Sequence, residues 1–212
     1  MKLKETYSIQ KLSYQEATAI VIDKHYLHRK APCSHAWGLI DNSSKEVMGV
    51  VIYGVPASST LLKGICGPDH ANNVYELTRL WVDDSVAKNG ESFLIGNTIK
   101  LLEREIVVSY ADSTQNHLGI VYQATNWVYT GLSSKFRDPK VRGLENQHHA
   151  TYANGLTNAQ VIEKFGDRVY WVERARKHRY IYFNATGKRK KELVSLLRYK
   201  PQPYPKLQEG ER

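Results

Sequence analysis

Residues 74–103 read VYELTRLWVDDSVAKNGESFLIGNTIKLLE, and this stretch decides the fold. Its first part, Val74–Val82, is rich in apolar and aromatic residues and alternates in part, which predicts a strand. A polar turn with one glycine follows over residues 83–92, and residues 92–103 have the spacing of a helix. A strand that passes through a turn into a helix is a building unit of α/β proteins.

The remaining elements extend this unit in both directions along the chain. Ser13 and Glu16 form a capping box in front of a helix predicted over residues 14–24. The other predicted elements are a hairpin of residues 37–40 and 47–53, a long surface loop over 56–73, a strand over 107–111, a helix over 117–125, a strand over 127–129, a short helix between Thr157 and Gly166, a final strand pair of residues 168–173 and 179–183, and a basic helix over 188–197. This order predicts an α/β (α+β) fold, a mixed central sheet with helices on both faces.

Positive charge is concentrated near the C-terminus. The 212 residues include 30 Lys and Arg against 21 Asp and Glu, a net charge of +9. Residues 174–212 hold twelve basic and three acidic side chains, so residues 1–173 are neutral. A basic region beside a neutral body predicts contact with a phosphate backbone, the alternative being a solvated tail. The candidate contacts are Arg179, Lys188, Arg189, Lys190 and Lys191, with the pair His148–His149 as a further one.

Composition excludes several classes of protein. Two cysteines, Cys33 and Cys66, are too few for a disulfide framework or a four-cysteine zinc site. We therefore expect a reducing, cytoplasmic compartment. No apolar run approaches the ~20 residues of a membrane span, so we expect no membrane partner.

The strand, turn and helix of residues 80–103 resemble the cofactor-binding core of the GNAT acyltransferase fold. In that fold, backbone amides at the start of a helix hold the pyrophosphate of acetyl-CoA. The resemblance places Asn89, Gly90 and Ser92 at this position. The loop has only one glycine, however, and Glu91 beside it would repel a pyrophosphate. An acetyl-CoA-dependent acetyltransferase acting on a protein or small molecule is therefore the alternative function.

An ordered set of short segments resembles the Mom family of phage DNA-modification proteins. The segments are His25-Tyr26, Glu76-Leu-Thr-Arg79, Ser109-Tyr-Ala-Asp112, Gly119-Ile-Val-Tyr-Gln-Ala124, Trp127-Val-Tyr-Thr-Gly131, Lys177-His-Arg-Tyr-Ile-Tyr-Phe183 and Tyr204-Pro-Lys206. They run from about residue 23 to residue 206, and no single one is diagnostic.

This resemblance implies a GNAT-like fold and the conversion of adenine N6 in DNA to its N6-carbamoylmethyl form, which protects the DNA from restriction. It also implies Fe(II), double-stranded DNA as partner and, for a phage-encoded protein, the host cytoplasm as location. Residues 1–173 would be the catalytic domain, and residues 174–212 a basic strand, helix and tail that complete it and contact DNA. The resemblance implies catalytic roles for Tyr26, Arg79, Ser109, Asp112 and Tyr122.

Two of these residues suit the chemistry by position. The exocyclic amine of adenine is a poor nucleophile, so a site must take its proton. Asp112 lies at the carboxyl end of a strand, where α/β sheets place ligands, and it could hold the amine or take its proton. A cap for the following helix explains Asp112 equally well. Tyr122 on that helix could complete the pocket or be a core aromatic residue.

Two further hypotheses concern charge and metal. Glu76 and Arg79 lie on opposite faces of a regular strand, so both face one cleft only if the strand has a bulge. Of the two, Arg79 is favoured, as a bidentate ligand for a phosphate or carboxylate; a structural ion pair is the alternative. His25, as a metal ligand with Asp112 and one of His28 or His35, would give the two-His-one-carboxylate set that suits Fe(II). Plain surface histidines are the alternative.

Overall fold

A seven-stranded mixed sheet forms the centre of the protein. The computed structural model describes residues 2–145, 147 and 149–206. The strands of this sheet are β1 (Tyr7–Lys11), β2 (His35–Asp41), β3 (Val47–Gly54), β4 (Val74–Val82), β5 (Ile106–Asp112), β6 (Val128–Leu132) and β9 (Lys177–Phe183), arranged in the order β1-β2-β3-β4-β5-β9-β6. Within it β4 and β5 are parallel, and the other described neighbours are antiparallel. The two remaining strands, β7 (Phe136–Val141) and β8 (Val169–Arg174), pair with each other in a separate antiparallel ribbon.

Eight helices accompany the strands in the described residues. They are α1 (Leu3–Thr6), α2 (Tyr14–Lys24), α3 (Ser59–Cys66), α4 (Gly90–Thr98), α5 (Ile120–Ala124), α6 (His149–Ala153), α7 (Asn158–Phe165) and α8 (Gly187–Ser195). None of the helices in the described ranges is long and apolar enough to cross a membrane.

Alternate residues of each strand supply two cores, one on each face of the sheet. On one face Val51 and Tyr53 of β3 pack with Leu94 and Ile95 of α4. On the other face Val50 and Ile52 pack with Ala17 and Val21 of α2. Ile65 of α3 and Leu193 of α8 pack on Ile106 and Ile181. This cluster is on the second face, because Ile106 is next to Val107 in β5 and the side chain of Val107 is on the first face. The predicted α/β class, with helices on both faces, is confirmed.

Several elements match their predicted bounds. The helix α2 covers residues 14–24 as predicted, and its capping box of Ser13 and Glu16 is formed. The hairpin β2–β3 and the strand β4 are also present, and Thr157 caps α7. The predicted helix over 92–103 begins earlier, at Gly90, and ends at Thr98, after which a 3-10 turn continues to Leu101.

Two predictions were wrong. Residues 56–73 are not a loop but contain α3 and a 3-10 turn, because Ser58 caps Leu61 and the helix buries Ile65 and Cys66. The late strands β8 and β9 do not pair with each other either. β9 lies between β5 and β6, whereas β8 pairs with β7, a strand that the sequence did not indicate because Pro139 interrupts its pattern.

The ribbon β7–β8 has its own small core. Val141, Tyr152, Ala153 and Val161 bury one another between the ribbon and the helices α6 and α7. The hydroxyl of Tyr152 donates to the carbonyl oxygen of Pro139 at 2.7 Å. Helices thus cover one face of the ribbon, and the other face remains accessible.

Candidate active site

A cleft opens where the parallel strands β4 and β5 separate. Their pairing ends at Glu76 opposite Val108, and beyond this point both strands line a cavity of about 710 Å³. At the point of separation the Ser109 hydroxyl donates to the carbonyl oxygen of Leu77 at 3.0 Å. A cavity of this size is typical of small-molecule sites. It lies at the carboxyl ends of the strands, as the position of Asp112 suggests.

A bulge in β4 brings Glu76 and Arg79 to the same cleft. Ile52 of β3 faces Arg79 while the next residue, Tyr53, faces Leu77, so Thr78 is the additional residue. The extra residue shifts the alternation of side chains along β4 by one position. Glu76 and Arg79 therefore both line the cavity. The condition under which both residues could share one cleft is therefore met.

Glu76 has the properties of a proton acceptor. Burial raises the pKa of its carboxyl group, and the charges of Arg79 and Lys177 only partly oppose this effect. A carboxylate with a raised pKa in a cleft is a stronger base than an ordinary one. The sequence ranked Glu76 below Arg79, and in the structure both residues line the cavity.

Arg79 has intramolecular partners. Its terminal nitrogens donate to the carbonyl oxygens of Thr78 at 2.6 Å and of Lys30 at 3.1 Å. Its Nε is buried and has no hydrogen-bond partner among the described residues. These contacts fix the loop that follows α2, so Arg79 positions one wall of the cleft and is not arranged as a free bidentate clamp.

Asp112 both caps a turn and faces the cleft. Its Oδ1 accepts from the backbone N–H and the hydroxyl of Thr114 at 3.1 and 2.7 Å, and its Oδ2 lies 2.9 Å from Nζ of Lys177. Burial raises the pKa of Asp112, but the hydrogen bonds from Lys177 and Thr114 outweigh burial and leave the pKa below its usual value. Asp112 is therefore an ionised hydrogen-bond acceptor at neutral pH. The capped element is a 3-10 turn, and the predicted helix over 117–125 begins only at Ile120.

Tyr122 and Ser109 act as a pair at the floor of the cleft. The Tyr122 hydroxyl lies 2.8 Å from Ser109 Oγ. Because the carbonyl of Leu77 can only accept, it takes the Ser109 proton, and the Tyr122 phenol then donates to Ser109. Burial raises the pKa of Tyr122 to about 12, so the phenol stays neutral. Ser109 itself does not line the cavity. It positions Tyr122, whose oxygen lone pairs can accept from a ligand.

His25, Tyr26 and His117 form an aromatic wall. The rings of His25 and Tyr26 stack at 4.5 Å between centroids, and His117 meets Tyr26 edge-on at 5.9 Å. Tyr26 lines the cavity and is 43 % exposed, so part of its ring is accessible. Burial, assisted by the charge of Arg79, lowers the pKa of His25 to about 4, and the ring is neutral at pH 7.

The hypothesis of an iron site at His25 and Asp112 does not fit these contacts. Nδ1 of His25 accepts from the backbone N–H of Leu27 at 3.1 Å, so the neutral ring carries its proton on Nε2. Both oxygens of Asp112 are engaged by Lys177 and Thr114. His35, the more distant candidate, contacts Tyr75 and Glu103 instead. Across the described ranges no three His, Cys, Asp or Glu side chains are grouped to hold a metal ion.

Asn89, Gly90 and Ser92, the three residues predicted to hold the cofactor, do not line the cleft. Asn89 has a left-handed backbone in front of α4, Gly90 is packed against Val86, and Ser92 donates back to the carbonyl of Asn89 at 3.0 Å. The residues that face the cavity here are acidic, Asp84 and Glu91. Glu91 in the first turn of α4 and Asp84 in the turn before it both oppose a pyrophosphate, so this loop does not fit acetyl-CoA.

The basic residues predicted to contact DNA divide into two groups. Arg189 pairs with Glu105 at 2.7 Å and with Glu192 at 2.9 Å. Arg179 lies over the ring of Tyr199 at 3.5 Å and donates to Thr130. By contrast, Lys188 and Lys191 are exposed and form no ion pair among the described residues. Of the pair His148–His149, His148 lies outside the described residues.

Sequence reasoning missed two cleft residues. Lys177 was named only as the first residue of a family-like segment, without a role in the site, and His117 was assigned to a helix that begins three residues later. The strand pairing that places Lys177 opposite Asp112 is a long-range contact, and no local pattern indicates it. Otherwise the structure brings His25, Tyr26, Arg79, Asp112 and Tyr122 together in one cavity.

The fold and the cleft define an α/β protein with a ligand-sized site between two separating strands. A model of the Mom protein family matches residues 6–206, and the chain belongs to that family. Methylcarbamoylase mom of Escherichia phage Mu is 27% identical over 213 residues, which cover 93% of this chain and 83% of that protein.

Solved structures with a similar fold are acetyltransferases. The ribosomal-protein-S5-alanine acetyltransferase of Vibrio fischeri has a TM-score of 0.48 and 11% identity over 84% of this chain and 93% of its own. Arabidopsis thaliana NAA60 in complex with acetyl-CoA has a TM-score of 0.49 and 12% identity over 84% and 99%. An acetyltransferase of Bacillus subtilis in complex with CoA has a TM-score of 0.44 and 12% identity over 84% and 98%. These similarities concern the arrangement of the sheet and its helices and do not extend to activity.

Proposed function

We propose that the protein is a DNA-modification enzyme that converts adenine N6 in double-stranded DNA to N6-carbamoylmethyladenine and so protects the DNA from restriction. The observation that carries the proposal is the cleft, which combines an accessible aromatic ring, Tyr26, with two carboxylates, Glu76 and Asp112. Membership in the Mom family and similarity to the phage Mu methylcarbamoylase support the same chemistry.

The cleft residues divide the work on an adenine that has left the duplex. The ring of Tyr26 offers a stacking surface for the base. Asp112, ionised and fixed by Lys177, accepts a hydrogen bond from the N6 amine, and the Tyr122 oxygen is a second acceptor. Two acceptors orient the amine and increase the electron density on N6.

N6 displaces the leaving group from the carbon of a carbamoylmethyl donor, the leaving group departs with its bonding electron pair, and Glu76 accepts the proton that N6 loses. A base works best when its pKa approaches the working pH, and the pKa of Glu76 is raised whereas that of Asp112 is lowered. We therefore assign proton acceptance to Glu76 and orientation to Asp112. The acids in the first turn of α4 and in the turn before it weigh against the alternative of an acetyl-CoA-dependent acetyltransferase.

Mass spectrometry of nucleosides from cells that express the protein tests the proposal. DNA from cells with the wild-type protein should contain N6-carbamoylmethyl-deoxyadenosine and resist restriction enzymes. Asp112→Asn and Tyr122→Phe should strongly reduce the product while thermal unfolding stays near wild type. Asp69→Asn and Tyr14→Phe, which remove equivalent groups from exposed positions, are the matched controls. Unmodified DNA with the wild-type protein, or normal product with Asp112→Asn, would reject the proposal or the role of that residue.

A further inference from the structure

The ribbon of β7 and β8 begins at the rim of the cleft. Ser133 and Lys177 join the ribbon to the central sheet, and they hold each other through two hydrogen bonds of 2.8 and 3.0 Å. Lys177 in turn pairs with Asp112 inside the cleft. Phe136 follows Ser133 by three residues, so its backbone lies within about 11 Å of this rim.

The ribbon carries a surplus of positive charge. Residues 133–142 and 168–177 together hold eight basic and two acidic side chains. Both acids are neutralised within the ribbon, Asp138 by Arg174 at 2.8 Å and Glu173 by Arg137 at 3.3 Å. Lys135 and Lys140 have no ion-pair partner in the described part of the chain. A surface of this kind attracts a polyanion.

Phe136 is an apolar side chain at this charged position, and none of the ring contacts among the described residues involves it. It is 62 % exposed, more than any other large apolar side chain of the described residues except Ile120. Its neighbour across the ribbon is Arg174, which is engaged with Asp138. Apolar side chains set among basic residues are used by proteins that separate base steps, where they fill the gap in the stack.

We infer that the β7–β8 ribbon is the surface that binds the DNA duplex, and that Phe136 fills the gap left in the base stack when the adenine enters the cleft. A two-stranded ribbon fits the major groove of B-DNA, into which adenine N6 projects. The inference rests on the proposed function for the identity of the extruded base. The contact between ribbon and duplex requires charge and shape alone.

Affinity for a short fluorescent duplex, measured as a function of salt, tests the contact without any chemistry. The slope of log K against log[salt] is negative, and each lost phosphate contact lowers its magnitude, called the salt slope below, by about 0.9. The double variant Lys135→Ala/Lys140→Ala should therefore lower the slope by about 1.8. The matched double variant Lys63→Ala/Lys100→Ala removes two exposed lysines from α3 and the turn after α4 and should leave the slope unchanged. Equal slopes for the ribbon variant and the wild type would overturn the inference.

Modification of two DNA substrates tests Phe136. The variant Phe136→Ala should modify paired adenine at least tenfold more slowly than the wild type, and should act normally on adenine opposite an abasic site, which needs little help to leave the stack. Phe136→Trp should restore the rate on paired adenine. Tyr14→Ala removes an exposed aromatic side chain from α2, outside the ribbon, and should have no effect.

These two measurements separate the inference from the proposed function. If the wild type modifies no DNA but the ribbon variant alone loses salt-dependent affinity, the function fails and the ribbon contact stands. Equal loss by Phe136→Ala on both substrates would overturn its role in the stack. If Phe136→Asp instead converts a dimer to a monomer without altering duplex affinity, the ribbon binds a second copy of the chain, and the inference is overturned.

Discussion

The cleft and the basic helix α8 lie toward opposite ends of β9. They differ in whether their charged groups already have intramolecular ion-pair partners. β9 begins at Lys177, beside Asp112, and ends at Phe183, four residues before α8. In the cleft Glu76 has a raised pKa because burial leaves its charge poorly compensated. On α8, Arg189 is held by two carboxylates. Charge counted in a sequence is therefore not the same as charge available to a ligand.

The largest expected effect comes from Glu76. Loss of a general base lowers rates by about 10²–10⁴-fold, so Glu76→Gln should reduce DNA modification by this factor with little change in duplex affinity. Single-turnover rates and binding measured on the same preparation check the prediction. Glu163→Gln on the exposed face of α7 is the matched control.

The same variant should also be more stable than the wild type at pH 7. Since the folded pKa of Glu76 is raised, the folded protein holds this proton more tightly than the unfolded chain, and the wild type gains stability as pH falls. The advantage of Glu76→Gln should therefore shrink as pH approaches the unfolded pKa of about 4.3. An advantage that grows on acidification would show that burial does not raise this pKa.

The local parts of this architecture could be predicted from sequence, and the long-range parts could not. The helix α2 follows from its capping box, and the strand β4 from its run of apolar residues. The position of β9 between β5 and β6 depends on pairing across more than forty residues, which no local pattern encodes. The predicted strand pair failed for this reason.

The same division applies to the candidate site. Asp112 and Tyr122 were selected from a strand end and the next helix, and both lie in the cavity. The bulge at Thr78, which brings Glu76 to face the cleft, is set by the register with β3 and could be stated only as a condition. The tautomer of His25 depends on the backbone of Leu27, which no spacing of histidines reveals.

The next effect in size is acid sensitivity caused by His25. Its folded pKa of about 4 lies below the unfolded value of about 6.5, so its contribution to stability is present above pH 6.5 and is lost as pH falls toward 4. The wild type should lose about 2–3 kcal/mol between pH 7 and pH 4.5 through this residue. Urea unfolding at the two pH values measures the loss, and His25→Gln should remove most of the difference between them. An equal loss in wild type and variant would assign the acid sensitivity to other groups.

A smaller effect is expected for Arg179. Its guanidinium stacks on Tyr199 and donates to Thr130, which makes it part of the packing between β9, β6 and the C-terminal segment. A double-mutant cycle of Arg179→Gln and Tyr199→Leu should give a coupling energy of about 0.5–1 kcal/mol. The salt slope for duplex binding should not change in Arg179→Gln. A lower slope with no coupling energy would restore Arg179 to the DNA surface.

The smallest expected effect concerns the four basic residues of α8. If Lys188, Arg189, Lys190 and Lys191 all met phosphates, replacing them with Ala would lower the salt slope by about 3.6. Arg189 is engaged by Glu105 and Glu192, and Lys190 lies over the ring of Tyr182 at 5.7 Å. Only Lys188 and Lys191 are free for this purpose among the four, so the slope should fall by no more than about 1.8. Arg189→Ala alone should leave the slope unchanged while it lowers the thermal midpoint, because Glu105 and Glu192 then lose their partner. A fall near the full value would mean that α8 exchanges its intramolecular partners for DNA, and that the duplex reaches the far end of β9.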